Sequence, residues 1–131
     1  MTINIFKGEF IIYNEKFDAS TSQDSLIKIK QKGKLTLVVD NENWKTFSFV
    51  PVDNQPDMNL ACNYVFHNQF LKNINVSSRY ADPDYSLLKR AFIHLTGLNS
   101  LQERITHNGM VVEYFTDFKS SYDYICISFS E

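Results

Sequence analysis

A chain of 131 residues can bury roughly two-thirds of the surface its unfolded form exposes, so it needs neither a disulfide nor a metal to fold. An apolar fraction of 44% with 15% aromatics excludes a disordered chain, which has few aromatics and high net charge. A formal charge of −2, from 13 basic and 15 acidic residues, lacks the basic excess of a nucleic-acid binder.

In chain order, the first half reads as β. Residues 2–6 and 9–13 are short apolar runs separated by a tight turn at Lys7-Gly8. Residues 14–24 are polar and turn-like. Leu26, Ile27 and Ile29 then face Leu35, Leu37 and Val39 across Lys32-Gly33, which predicts a hairpin with alternation on both arms. Lys28, Lys30 and Lys32 recur at every second position, and Lys34 follows beyond the turn. They read as a solvated, edge-protecting strand face in preference to a basic binding patch. Asp40 to Asn43 makes a second turn. From Trp44 to Val50 the chain alternates again, with Trp44, Thr46 and Ser48 on one side and Phe47 and Phe49 on the other. Pro51 and Pro56 end that strand and frame a loop.

Residues 57–72 carry mixed signals. Leu60, Tyr64 and Leu71 suit a helix capped by Asp57, whereas Tyr64-Val65-Phe66 favours a strand, and the helix is preferred. Residues 82–97 hold the clearest helix pattern. Asp82 suits the N-cap, Pro83 the first helical position, and Asp84 the positive end of the dipole. Leu88, Ala91, Phe92 and Leu95 form one apolar stripe, and Gly97 stands where a left-handed residue ends a helix. After it, Ser100 to Glu103 matches a capping box, while Ile105 to Val112 reads as a hairpin closed by Asn108-Gly109. The preferred reading is a short helical turn, then Asn108-Gly109, then a strand over 110–116. Residues 122–129 have both helical spacing and many β-formers, and residue preference selects strand. The expected architecture is α+β: residues 1–131 as a single domain, with a mostly antiparallel twisted sheet packed by one main helix at about 83–96 and a candidate second helix.

Chemistry-bearing patterns are scarce. Four scattered glycines build no phosphate-binding loop, and there is no GxSxG nucleophile elbow. His67, His94 and His107 lack metal-ligand spacing to each other or to Cys62 and Cys126, which read as buried free thiols. Asp82 and Asp84 are explained by capping. No catalytic residue, metal or cofactor is therefore expected. No signal peptide and no apolar run of about 20 residues is visible, so the expected location is the cytoplasm, without membrane or nucleic-acid contact. What remains is a surplus of Tyr and Trp, residues enriched in binding hot spots, beside acidic turns. Acid-bearing loops next to aromatics suit a basic protein partner, which nominates Asp40, Glu42, Trp44, Asp82, Asp84 and Tyr85 as partner-binding residues.

The stretch from Gln102 to Phe118 (QERITHNGMVVEYFTDF) resembles the C-terminal part of some immunity proteins of contact-dependent growth inhibition systems. Those carry an Arg, a short polar turn with Gly, a β run with an acidic-aromatic pair, then Thr and a short amphipathic segment. Arg104, Gly109, Glu113-Tyr114, Thr116 and Asp117 correspond. A Tyr stands where the family has Trp, and the tail reads as strand where the family has helix. The resemblance implies a small protein that binds one cognate toxin, often a nuclease, and blocks its active site or substrate path. It carries over no interface residues. Two other functions fit the same composition: a phage or plasmid inhibitor of a host defence system, and a small-ligand binder or enzyme with a cavity between sheet and helix.

Overall fold

A computed structural model describes residues 1–51, 60–78, 86–98, 104–117 and 122–130. Three short strands, β1 (Thr2–Asn4), β2 (Glu9–Ile12) and β3 (Glu15–Phe17), form a small antiparallel sheet in that order. Tyr13 and Asn14, at φ 50 and 65, make the left-handed two-residue turn that joins β2 to β3. Seven strands form the main sheet: β4 (Gly33–Asp40), β5 (Trp44–Pro51), β6 (Leu60–His67), β7 (Phe70–Ser78), β8 (Arg104–His107), β9 (Met110–Asp117) and β10 (Tyr122–Phe129). They lie in the order β4-β5-β6-β7-β10-β9-β8, every neighbouring pair antiparallel. One α-helix, α1 (Ser86–Thr96), occurs among the described residues. The mostly antiparallel sheet with one main helix is the expected architecture, divided into two sheets.

Period-2 alternation sorts the main sheet into two faces. Phe49, Cys62, Tyr64, Ile74, Val76, Val112, Ile125 and Ile127 are buried on one face. Ile3, Phe10 and Phe17 of the small sheet, Leu26 and Ile29, and the α1 stripe Leu88, Ala91, Phe92 and Leu95 join them in one core. Phe17 lies 5.3 Å from the Tyr64 ring, and Phe92 meets Tyr114 edge-on at 6.3 Å. Everything that packs on the sheet in this core therefore packs on the same side. The register places Ser48, Asn63, Asn75, Cys126, Glu113 and Arg104 in one row across the opposite side. That side is polar and at least partly open to solvent.

Several sequence expectations hold locally. Gly97 has φ 71, and its N–H donates to the Ile93 carbonyl at 2.9 Å, closing α1. Asn108 and Gly109, at φ 49 and 74, turn β8 into β9. The Asn108 side chain also donates to the Phe6 carbonyl, tying this turn to the small sheet.

Four expectations are corrected. Residues 26–32 are not a hairpin arm but two 3-10 turns, Gln23–Lys28 and Lys30–Lys32, with Ile29 N–H donating to Leu26 C=O and Lys32 N–H to Ile29 C=O. A three-residue period buries Leu26 and Ile29 and turns Ile27 out, so the lysines sit on turns, not on a strand face. Residues 60–72 are strand–turn–strand instead of helix. Leu60, Cys62, Tyr64 and Phe66 alternate inward, and β5 and β7 flank β6 on both sides. Residues 104–107 are strand β8 rather than a helical turn, because β9 offers them a partner. The polar stretch 14–24 contains β3, whose Phe17 is wholly buried. The expected caps Asp57 and Asp82, and the box starting at Ser100, lie outside the described residues.

Candidate protein-docking surface

The β4–β5 turn is built by Asn41, whose Oδ1 accepts the N–H of Asn43 at 3.2 Å and of Trp44 at 2.9 Å. The β6–β7 turn beside it uses Asn68 and Gln69 in the left-handed region, at φ 50 and 76. Asn68 N–H donates to the Asn43 carbonyl at 2.9 Å, and Leu71 N–H to the Thr21 carbonyl at 2.9 Å. Two turns and the segment before the first 3-10 turn are thus laced together by backbone hydrogen bonds. Such ties hold a surface in one shape before any partner arrives.

Trp44, His67 and Phe70 follow one another across β5, β6 and β7. The Trp44 and His67 rings lie 4.3 Å apart at 36°. Trp44 is 40% exposed and Phe70 49%, large for aromatic side chains in a sheet. β4 is an edge strand, and a bulge between Leu37 and Val39 turns three consecutive apolar side chains outward, Val38 most of all at 53%. A long apolar edge is normally blunted or covered, and a contiguous apolar patch marks an interaction surface. Charges border it. Lys45 Nζ lies 3.7 Å from Asp40 Oδ1, and Glu42 makes no ion pair among the described residues. Between the two turns lies a cavity of ≈ 310 Å³, lined by Gln23, Glu42, Asn43, Lys45, Phe66, Asn68 and Gln69.

Reactive groups are placed elsewhere. Cys62 is fully buried, and burial pushes its thiol up to about 12. Cys126, expected to be buried, is only half-buried on the polar side of the sheet. Partial burial there still raises its thiol above the ordinary value. Both shifts disfavour the nucleophilic thiolate. Asp123 is buried and accepts a hydrogen bond from the Tyr114 hydroxyl, a structural pairing inside the core face. Among the described residues no three His, Cys, Asp or Glu side chains gather as a metal site. No helix among them is long and apolar enough to cross a membrane.

The nominated residues divide in two. Asp40, Glu42 and Trp44 meet at the end of one hairpin, whereas Asp82, Asp84 and Tyr85 lie outside the described residues. Sequence reasoning missed Leu37, Val38, Val39, His67 and Phe70. Three consecutive apolar residues were a usable signal, but pairing them with Leu26 to Ile29 put them inside.

The fold is shared with a solved chain. A chain in the structure of Rhs1-CT in complex with its cognate immunity protein RhsI1 superposes with a TM-score of 0.67, covering 98% of this chain and 86% of that one. The sequences are 10% identical, so the likeness is one of fold. No protein-family model and no curated protein matches the sequence.

Proposed function

We propose that this protein neutralises a cognate bacterial toxin by direct protein–protein complex formation and performs no catalysis of its own. The observation that carries the reading is the fold shared, over 98% of the chain, with a component of an Rhs1-CT–immunity protein complex. It is supported independently by the immunity-protein resemblance of Gln102–Phe118. There Arg104 falls on β8, Gly109 in the turn, and Glu113-Tyr114 on β9. On this reading the chain acts as a single α+β unit in the cytoplasm, apart from nucleic acid and membrane.

The docking surface is the hairpin end and edge around Trp44. Trp44 and Phe70 supply rigid aromatic area, the kind of anchor that dominates binding energy. Leu37, Val38 and Val39 supply an apolar edge along which a partner can lay main chain. Asp40 and Glu42 suit a basic partner domain, with a nuclease as the favoured kind, since a protein that handles nucleic acid carries positive charge. Asp82, Asp84 and Tyr85 complete the proposed contact set. Co-expression with the product of the adjacent upstream gene tests the reading. A tight co-purifying complex and restored growth are expected, and failure of both would refute it.

A further inference from the structure

We infer that the cavity between the β4–β5 and β6–β7 turns is a receptor for one arginine side chain of the protein partner. This rests on the partner-binding reading and goes beyond it by assigning the recognised group. The volume of ≈ 310 Å³ lies at the small end of ligand pockets, which span about 300–1,000 Å³. That size fits a side chain better than a cofactor. The lining carries acceptors in quantity: the Glu42 carboxylate and the amide carbonyls of Asn43, Asn68 and Gln69.

Charge selects a cation. Lys45 also lines the cavity, but Asp40 stands 3.7 Å from its ammonium and offsets it. The lining itself holds one carboxylate and one ammonium, but Lys45 is engaged by Asp40 from outside the cavity and Glu42 makes no ion pair among the described residues, so the Glu42 carboxylate is the group left for a cation. Arginine fits better than lysine. Its planar fork can meet a carboxylate in two parallel hydrogen bonds and reach neighbouring carbonyls with its remaining donors. The receptor is also preformed, because Asn68 N–H holds the Asn43 carbonyl at 2.9 Å and fixes one turn against the other.

The test uses the full chain, ¹⁵N-labelled, titrated with Nα-acetyl-arginine amide while backbone amide shifts are followed. Saturable shifts are expected at Asn43, Asn68 and Gln69. Citrulline amide, which keeps the shape and loses the charge, should bind more weakly, and so should the lysine analogue. Glu42→Gln should lower affinity about fivefold, the range of a partly exposed ion pair. Equal shifts with citrulline, unmoved amides, or stronger binding of inorganic phosphate through Lys45 would each overturn the inference. Arginine binding without toxin neutralisation would leave the receptor standing and refute the functional reading. Neutralisation with a silent cavity would do the reverse.

Discussion

Gly33→Ala measures how tightly β4 is held against β5. Gly33 has φ −175, extended backbone that any residue adopts, so the substitution creates no local strain. The cost is purely spatial. An added Cβ would lie 2.3 Å from the Val50 carbonyl oxygen and 2.8 Å from two ring carbons of Phe49, where ordinary contact begins at 3.4 Å. Neither neighbour can yield easily. Val50 belongs to the β5 backbone, and Phe49 is wholly buried with Tyr13 edge-on against it at 6.4 Å. The start of β4 must therefore move out by about an ångström, a local overpacking that costs about 1–3 kcal/mol. At roughly 4 °C per kcal/mol for a chain of this size, Tm falls by about 4–12 °C. Thermal unfolding followed by circular dichroism reads this directly, and urea unfolding should show a lower midpoint with an unchanged slope. Gly97→Ala is the control with the opposite physics. Nothing lies within 4 Å of its Cβ, yet its φ of 71 makes the left-handed region the whole cost, about 1–2 kcal/mol. If Gly33→Ala melts with the wild type, β4 does not lie where the structure has it, and the docking edge it carries is misplaced.

Phe92→Ala or Leu88→Ala removes a fully buried side chain from the α1 stripe and should cost about 2–5 kcal/mol in denaturant unfolding, and no measurable change would mean that α1 does not cover the sheet. In the native protein Cys62 should resist a thiol reagent until denaturant is added, while Cys126 reacts slowly; rapid labelling of Cys62 would contradict its burial. The folded protein holds the Cys62 proton more tightly than the unfolded chain, so stability from this group is complete below pH 9 and is lost as pH rises from 9 toward 12. Cys62→Val should flatten that part of the alkaline stability curve, and an unchanged curve would refute the assignment. If the proposed function holds, Trp44→Ala should weaken the complex with the toxin by about 2 kcal/mol, roughly 30-fold, with little change in Tm, as measured by calorimetry; unaltered affinity would remove Trp44 from the proposed docking surface.

Elements whose signal is local were legible in the sequence. The α1 stripe, its terminator Gly97, the Asn108-Gly109 turn and the alternation of Trp44 to Phe49 each need only neighbours a few residues away. Residues 26–32 and 60–72 satisfy two periods at once, and there local preference cannot decide. Ile27 and Ile29 share a face at strand spacing and Leu26 and Ile29 at 3-10 spacing, and the fold buries the second pair and leaves Ile27 exposed. Leu60 to Phe66 becomes a strand because β5 and β7 complete its ladder from positions far away in the chain.

The same division runs through the candidate site. Aromatic surplus and acidic turns nominated Asp40, Glu42, Trp44, Asp82, Asp84 and Tyr85, and the fold brings the first three together at the end of one hairpin. The exposure of Leu37, Val38 and Val39 is a property of position. It arises because β4 has no neighbour on one side and a bulge breaks its alternation. The cavity between the two turns is likewise decided by tertiary structure. Its lining comes from three segments, Gln23, then Glu42, Asn43 and Lys45, then Phe66, Asn68 and Gln69, that only the packing of the sheet brings together. Sequence determined which side chains carry charge or aromatic area, and long-range strand pairing decided which of them stand together at the surface.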